Sequence, residues 1–189
     1  MIQQHKQSSN KQKESEELVN CLLVQFHQTL DQWVNELQYY DHEQLCLPPD
    51  STSWSLGQVY LHLIEETDYY FQQCRNCLIS NENASGKMST EAGIWFQNNS
   101  YPHQKLQGPP DLPVPPQPDN KAQLLEGMQY IKIEAGTLAK EITTSAYNGK
   151  TKHPGHDYFS AVEWFQFAEM HLRHHFRQKG SIDEFLKDR

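Results

Sequence analysis

Two histidines one helical turn apart, His171 and His175, and a third, His62, more than a hundred residues earlier, are the residues of this chain best suited to chemistry. An i,i+4 pair presents two imidazole nitrogens on one helix face, and one histidine from a facing helix completes a three-nitrogen set that leaves one coordination position for water or substrate. The pattern is that of a catalytic rather than a structural metal site. The alternative is equally physical: with ten histidines in the chain, these three could be core imidazoles satisfied by local hydrogen bonds. Cys74-Arg-Asn-Cys77 also matches a ligand spacing. It falls inside a helical pattern, has no second C-x-x-C for a zinc cage and lacks a βαβ context, so it reads as two ordinary thiols.

The elements that must position the histidines are marked at their ends. Ser160 with Glu163 reads as a capping box, and Gly180 reads as a stop, which predicts a helix of about twenty residues. Ala161, Trp164, Ala168, His171 and His175 recur along it at spacings of three and four, so both histidines share the core-facing stripe, while His174 points away. Ser55 and Gln58 fit a second capping box with Trp54 stapling the entry, and a helix is expected from there to about Ile79. On it Val59, His62, Leu63, Glu66, Tyr70 and Gln73 share a face.

Two further helices are expected. One spans about Glu16 to Tyr40, with Leu18, Cys21, Leu22, Gln25, Phe26, Thr29, Trp33, Leu37 and Tyr40 on one face. The other is capped by Asp119 or Asn120 and carries Leu124, Leu125, Met128, Ile131, Ala135, Leu138 and Ile142 to about Ala146. Residues 41–53 and 151–159 read as connectors, the second carrying His153 and His156. Residues 80–118 form a long loop, since seven of the ten prolines fall between Pro102 and Pro118. Within it Ile94-Trp95-Phe96 reads as an anchor, and Leu112 to Pro118 as a stiff polyproline-like piece. Four long helices without a convincing period-two strand give an all-α four-helix bundle, its first three helices each about 36 Å long. Residues 1–14 are expected to be a disordered tail, followed by a single domain over 15–189.

Composition narrows the function. A net charge of −8, from 24 acidic and 16 basic residues, argues against binding nucleic acid or an anionic membrane. The polar N-terminus has no apolar core of a leader, and no run of about eighteen apolar residues occurs, so a cytoplasmic protein is expected. Four cysteines outside a secretory context are expected to be free.

Trp54-Ser55-Leu56-Gly57-Gln58, followed by His62-Leu63, and then His171-Leu172-Arg173-His174-His175-Phe176-Arg177-Gln178 resemble the two signature segments of the DinB-like superfamily of metalloenzymes. His153-Pro154 ahead of the last helix further resembles an uncharacterised subgroup whose final helix carries His-x-x-His-His-x-x-Gln. The resemblance spans roughly Leu18 to Gln178. It implies an up-down-down-up bundle with residues 80–118 as the crossover, and a divalent metal held by His62, His171 and His175. Known members are thiol-dependent transferases and an isomerase that use low-molecular-weight thiols, and many have no known reaction. The commoner His-Arg-Gly-Gln ending is replaced here by His175-Phe176-Arg177-Gln178.

Zinc and nickel both suit an imidazole-rich set. Gln178, near His175, is then a candidate hydrogen-bonding partner behind the ligands, and Glu66, one turn past His62, a candidate acceptor or acid/base group. Three functions follow from these residues. The first is a metal-dependent transferase or hydrolase acting on a small molecule, with the 80–118 loop on its rim. The second is a non-catalytic, stress-related binding module with a structural metal, and the third a metal-free interaction domain. An exposed apolar edge on such a bundle would equally support a homodimer.

Overall fold

The computed structural model describes residues 2–102 and 113–187, with side chains from Gln12 onward. The chain forms α1 (Ile2–Leu37), α2 (His42–Cys46), α3 (Leu56–Cys77), α4 (Thr90–Gln97), α5 (Lys121–Thr144), β1 (Lys150–His153), β2 (Asp157–Ser160), α6 (Ala161–His174) and α7 (Phe176–Lys187). The helix starts follow local side-chain chemistry. Ser55 and Gln58 form a reciprocal capping box at α3, Ser160 and Glu163 another at α6, and Asn120 caps α5. Asp41 and Gln44 form a further box that starts α2 inside the expected connector.

Helices α1, α5, α3 and α6 pack in that order around a ring, so consecutive helices α1 and α3 lie across a diagonal. Paired residues give their directions. Thr29 meets Glu169 and Trp33 meets the Leu172 carbonyl, so α1 and α6 run parallel. Tyr130 meets Asp68 and Arg75 meets Glu141, so α3 and α5 run parallel too. His62 faces His171 while Cys74 faces the Ala161 carbonyl, so α3 opposes α6. The bundle is therefore all-α, up-down-down-up, with its long connection between the two parallel helices α3 and α5.

The core is one apolar cluster. Leu22, Phe26, Leu30, Trp33 and Leu37 of α1 meet Val59, Leu63, Tyr70 and Phe71 of α3, Met128, Ile131 and Leu138 of α5, and Trp164, Phe165 and Ala168 of α6. Each fully buried large apolar side chain contributes about 2 kcal/mol. On α1 the buried stripe is rotated from the expected one, since Leu18 and Cys21 are exposed whereas Val19 and Leu30 are fully buried. Cys74 and Cys77 are buried free thiols, pushed up by burial, that hydrogen-bond the carbonyls of Ala161 and Phe159.

Several expectations need correction. α1 is drawn from Ile2, so its first turns fall in the stretch over residues 1–14 that the sequence marks as a tail. Gly180 does not stop the last helix. It lies inside α7, where Ile182 is buried and Leu186 packs on the core, and that burial outweighs the roughly 1 kcal/mol a mid-helix glycine costs.

Residues 151–159 hold most of an antiparallel hairpin pairing Lys150 with Ser160 and His153 with Asp157, whose left-handed φ of 61° helps close the turn. Phe159 is buried, and the Trp164 indole donates to the Thr151 hydroxyl at 2.7 Å. The long loop contains α4, which anchors through buried Trp95 and half-buried Phe96, while Ile94 is exposed. Within the polyproline-like piece, Leu112 lies outside the described residues. Its remainder docks on the start of α3: Gln58 donates to the Pro115 carbonyl at 2.6 Å and Ser55 to the Gln117 side chain at 2.8 Å. Gly57 is required there, because a Cβ would come within 2.6 Å of Pro118 and 2.8 Å of the Leu45 carbonyl. Among the described residues no helix is long and apolar enough to cross a membrane.

Candidate metal centre

The two capping boxes set the phase of α3 and α6, and the phase decides where the histidines point. Ser55 starts α3 so that His62 lies two turns in, facing α6. Ser160 starts α6 so that His171, three turns in, faces α3 from the same buried stripe as Trp164 and Ala168. At His175 α6 ends and α7 begins, with the backbone still near-helical at φ −72°, ψ −11°. His175 N–H donates to the His171 carbonyl, and Lys179 N–H to the His175 carbonyl. The histidine therefore keeps its i,i+4 relation to His171 across the junction.

The result is a cluster of imidazole nitrogens. His171 Nε2 lies 3.3 Å from His62 Nε2 and 3.1 Å from His175 Nε2, and one ligand atom from each of the three fits within 4.8 Å. Two ligands each 2.0–2.1 Å from a tetrahedral ion stand about 3.3 Å apart. Three nitrogens at this spacing suit a shared cation far better than one another, since a neutral imidazole has one proton and one lone pair to offer. The groups around them keep the rings neutral. Burial pushes His62 down to about 4. Burial, followed by the His62 ring and, less strongly, by His174 and the Arg177 guanidinium, takes His175 down to about 3 against the opposing pull of Gln178. His171 is held well below its ordinary value by burial and then by the other imidazoles. Neutral imidazole is the form that binds a metal.

Hydrogen bonding and packing fix the orientation. His175 Nδ1 donates to Gln178 Oε1 at 2.9 Å, which leaves the Nε2 lone pair aimed into the cluster. His171 Nδ1 is buried without a hydrogen-bond partner. The Trp54 ring lies 5.0 Å from His62, Tyr70 lies 5.6 Å and Tyr101 6.3 Å from His171, and Tyr101 also packs on His174 at 4.9 Å. Glu66 is not brought into the nitrogen cluster. Its carboxyl, pushed up by burial and pulled back by the Tyr70 hydroxyl, belongs with Tyr70 and Tyr101, whose phenols are themselves raised by burial.

A model of the DinB superfamily matches residues 22–178, a span that holds all three histidines and Gln178. The chain belongs to the DinB superfamily. Among curated proteins and solved structures none matches it. The DinB match begins within α1 and ends at Gln178, so it covers the later part of α1 and all of α3, α5 and α6 and stops as α7 begins.

Within this DinB bundle the structure adds residues that sequence spacing does not single out. Tyr101 is the main one. Asn98 and Asn99 end α4, with Asn99 at a left-handed φ of 47°. The Asn99 carbonyl accepts from Arg173 at 2.7 Å and its side chain from Gln166 at 2.9 Å, so the turn is tied to α6 and Tyr101 is laid over His171 and His174. The Asn-Asn-Ser-Tyr-Pro run signals a turn; nothing local signals where that turn docks.

Proposed function

We propose that this chain is a divalent-metal-dependent enzyme in which His62, His171 and His175 hold the ion, acting on a small molecule by thiol-dependent transfer or metal-assisted hydrolysis. The observation that carries this reading is the convergence of three neutral imidazoles at metal-ligand spacing on two facing helices of a DinB bundle. A divalent ion held by His62, His171 and His175 would supply Lewis acidity to a water or thiol brought beside it. Zinc and nickel both suit the donor set.

The chain's own residues do the rest. Gln178 holds the His175 tautomer. Trp54 and Tyr101 wall the cluster with aromatic surface that limits water. Glu66, raised by burial and paired with Tyr70, takes the role of acid/base group at the edge of the site.

The test is metal content by mass spectrometry on protein purified without a histidine tag, beside His171→Ala. Near one equivalent in the parent and little in the variant is expected. A parent that retains no metal after loading with zinc or nickel and dialysis sinks the proposal. A parent that keeps its metal but loses melting temperature steeply on chelation, and turns over no thiol conjugate, would make the ion structural.

A further inference from the structure

The turn of the β1–β2 hairpin carries two histidines, His153 and His156, whose ring centroids lie 4.7 Å apart, and neither belongs to the nitrogen cluster. Hydrogen bonding and burial keep both neutral. His153 Nδ1 accepts from the Gly155 N–H at 3.0 Å, so the neutral ring carries its proton on Nε2, and the lone pair that a second proton would take is already in use. His156 Nδ1 is buried without a hydrogen-bond partner, so a doubly protonated ring would hold an N–H there with nothing to accept it. Burial accordingly takes His153 down to about 4 and lowers His156. The Gly155 bond also argues against a second metal pair, because a metal on His153 Nε2 would put a proton on Nδ1 facing the Gly155 N–H.

The pair holds the arm that covers the cluster, residues 87–101. Ser89, which caps α4, donates its backbone N–H to the His156 carbonyl at 2.9 Å, and the Tyr158 N–H donates to the Lys87 carbonyl at 3.3 Å. The His156 ring packs on Trp95 of α4 with centroids 4.5 Å apart, Trp95 packs on Tyr101 at 5.0 Å, and Tyr101 packs on His171 and His174. A run of rings thus leads from the hairpin turn to the wall of the candidate metal centre. The closed turn holds Asp157 at a left-handed φ of 61°, a local strain that opening would relieve. Asp157 on β2 and Glu91 on α4 both favour protonation of His156. Towards His153, α6 presents the rings of Trp164 and Phe167, while Lys150 of β1 is paired with Glu163 of α6. Tyr101 keeps its proton, because burial raises its phenol.

We infer that His153 and His156 form an acid-sensitive latch, neutral and packed together when closed, whose double protonation opens the hairpin turn, frees residues 87–101 and withdraws Tyr101 from the cluster of His62, His171 and His175. The closed form refuses protons that the opened form accepts, so closure is complete above about pH 6.5 and weakens as pH falls towards about 4. At pH 5 the difference at His153 alone favours the opened form by about 10- to 30-fold, the lower figure allowing for partial solvent access. That Tyr101 covers a metal rests on the metal-enzyme reading above; that the hairpin pair is an acid latch does not.

The experiment follows histidine side-chain resonances and amide hydrogen exchange, corrected for intrinsic rates, by NMR on the full metal-free chain between pH 7.5 and 4.5. His153 and His156 are expected to take up protons in one concerted step below about pH 6, and protection of the amides over residues 89–101 to fall at least about tenfold between pH 7.5 and 5, while Met128 and Ile131 of α5 keep theirs. In the double variant His153→Phe/His156→Phe, whose rings pack but cannot titrate, the fall should stay under about threefold. His171→Ala should respond as the parent does, because the trigger lies outside the cluster. With zinc loaded, transfer of the metal to a chelator at pH 5.5 is expected to be at least about fivefold faster in the parent than in the double variant, and equal in the two at pH 7.5.

Arm amides equally protected at pH 7.5 and 5 overturn the latch, as do two rings that titrate independently near 6.5 with no loss of protection. So does a response that survives in the double variant or vanishes in His171→Ala. Should the double variant fail to fold, the titration and exchange of the parent decide. Equal zinc transfer in parent and double variant at pH 5.5 would overturn the link between latch and cluster. Failure to take up zinc would refute the metal centre alone and leave the acid response standing.

Discussion

Gln178 offers the most discriminating test of how the cluster is held. Its Oε1 accepts from His175 Nδ1 at 2.9 Å, the one hydrogen bond that fixes the tautomer of a ring already kept neutral at pH 7 by burial and neighbouring positive charge. Removing the acceptor by Gln178→Ala deletes a bond of about 1 kcal/mol and frees the ring to rotate. Partners of this kind typically change metal affinity 10- to 100-fold, about 1.4–2.7 kcal/mol. The opposite change, Gln178→Glu, places a full charge on the acceptor and makes the imidazole a stronger donor. Because His175 ionises only near pH 3, the added basicity is not lost to proton competition at pH 7.5. The pair therefore predicts opposite signs: weaker zinc binding in the alanine variant and tighter binding in the glutamate variant. Competition with a chromophoric chelator at pH 7.5 measures both. An alanine variant within about threefold of the parent, or a glutamate variant weaker than the alanine one, would refute the argument that Gln178 orients a ligand.

Two further outcomes concern stability. Burial, with the nearby His156 ring, pushes His153 down to about 4, whereas an unfolded histidine titrates near 6.5. As pH falls below about 6.5 the unfolded chain takes up a proton that the folded chain refuses. The contribution is whole above that pH, declines down to about 4 and then levels off. It amounts to about 1–2 kcal/mol once partial solvent access is allowed for. Urea melts at pH 7.5 and 4.5 should show a smaller loss in His153→Phe than in the parent, and equal losses would exclude His153 as a source. Gly180 lies exposed in the middle of α7, and a Cβ there would meet nothing within 4 Å. Gly180→Ala should accordingly raise stability by about 0.5–1 kcal/mol and the melting temperature by a few degrees; a lower melting temperature would count against a continuous α7.

What could be read from the chain is what depends on nearest neighbours in sequence. Ser55 with Gln58 and Ser160 with Glu163 are self-contained hydrogen-bonding units, so the starts of α3 and α6, and with them the phase of His62 and His171, are legible without any tertiary information. The phase of α1 is less so, because apolar residues lie on both sides of the true stripe and adjacent positions differ by only 100°. Leu18 therefore reads as core while Val19 is the buried residue. Gly180 fails as a stop for a different reason: its local cost is smaller than the gain from burying Ile182 beyond it. The hairpin over 150–160 is too short for a period-two pattern to stand out. Tyr101 and Arg173, which meet through the Asn99 turn, are seventy-two residues apart, and no spacing rule joins them.

The α6–α7 junction shows how a departure from regular structure can serve the cluster. His175 sits at the end of α6, where its ring must face inward at the same time as the chain carries on along α1. A buried cation fixes the continuation: Lys179, 4% exposed, donates to the Tyr40 hydroxyl and to Asp183 at 2.7 Å each and pairs with Glu36 at 3.0 Å. Tyr40 in turn donates to Asp183 at 2.5 Å, and Trp33 stacks on Phe176 with centroids 4.6 Å apart. A buried ion pair of this kind adds little net stability but penalises every arrangement that leaves the charge unpaired. The register of α7 against α1 is thereby held to one solution. Since Gln178 is the residue before Lys179, that same register delivers the amide to His175 Nδ1. The polar network at the end of the bundle thus acts on the candidate metal centre by fixing position, through Gln178 of α7, which meets His175 at Nδ1.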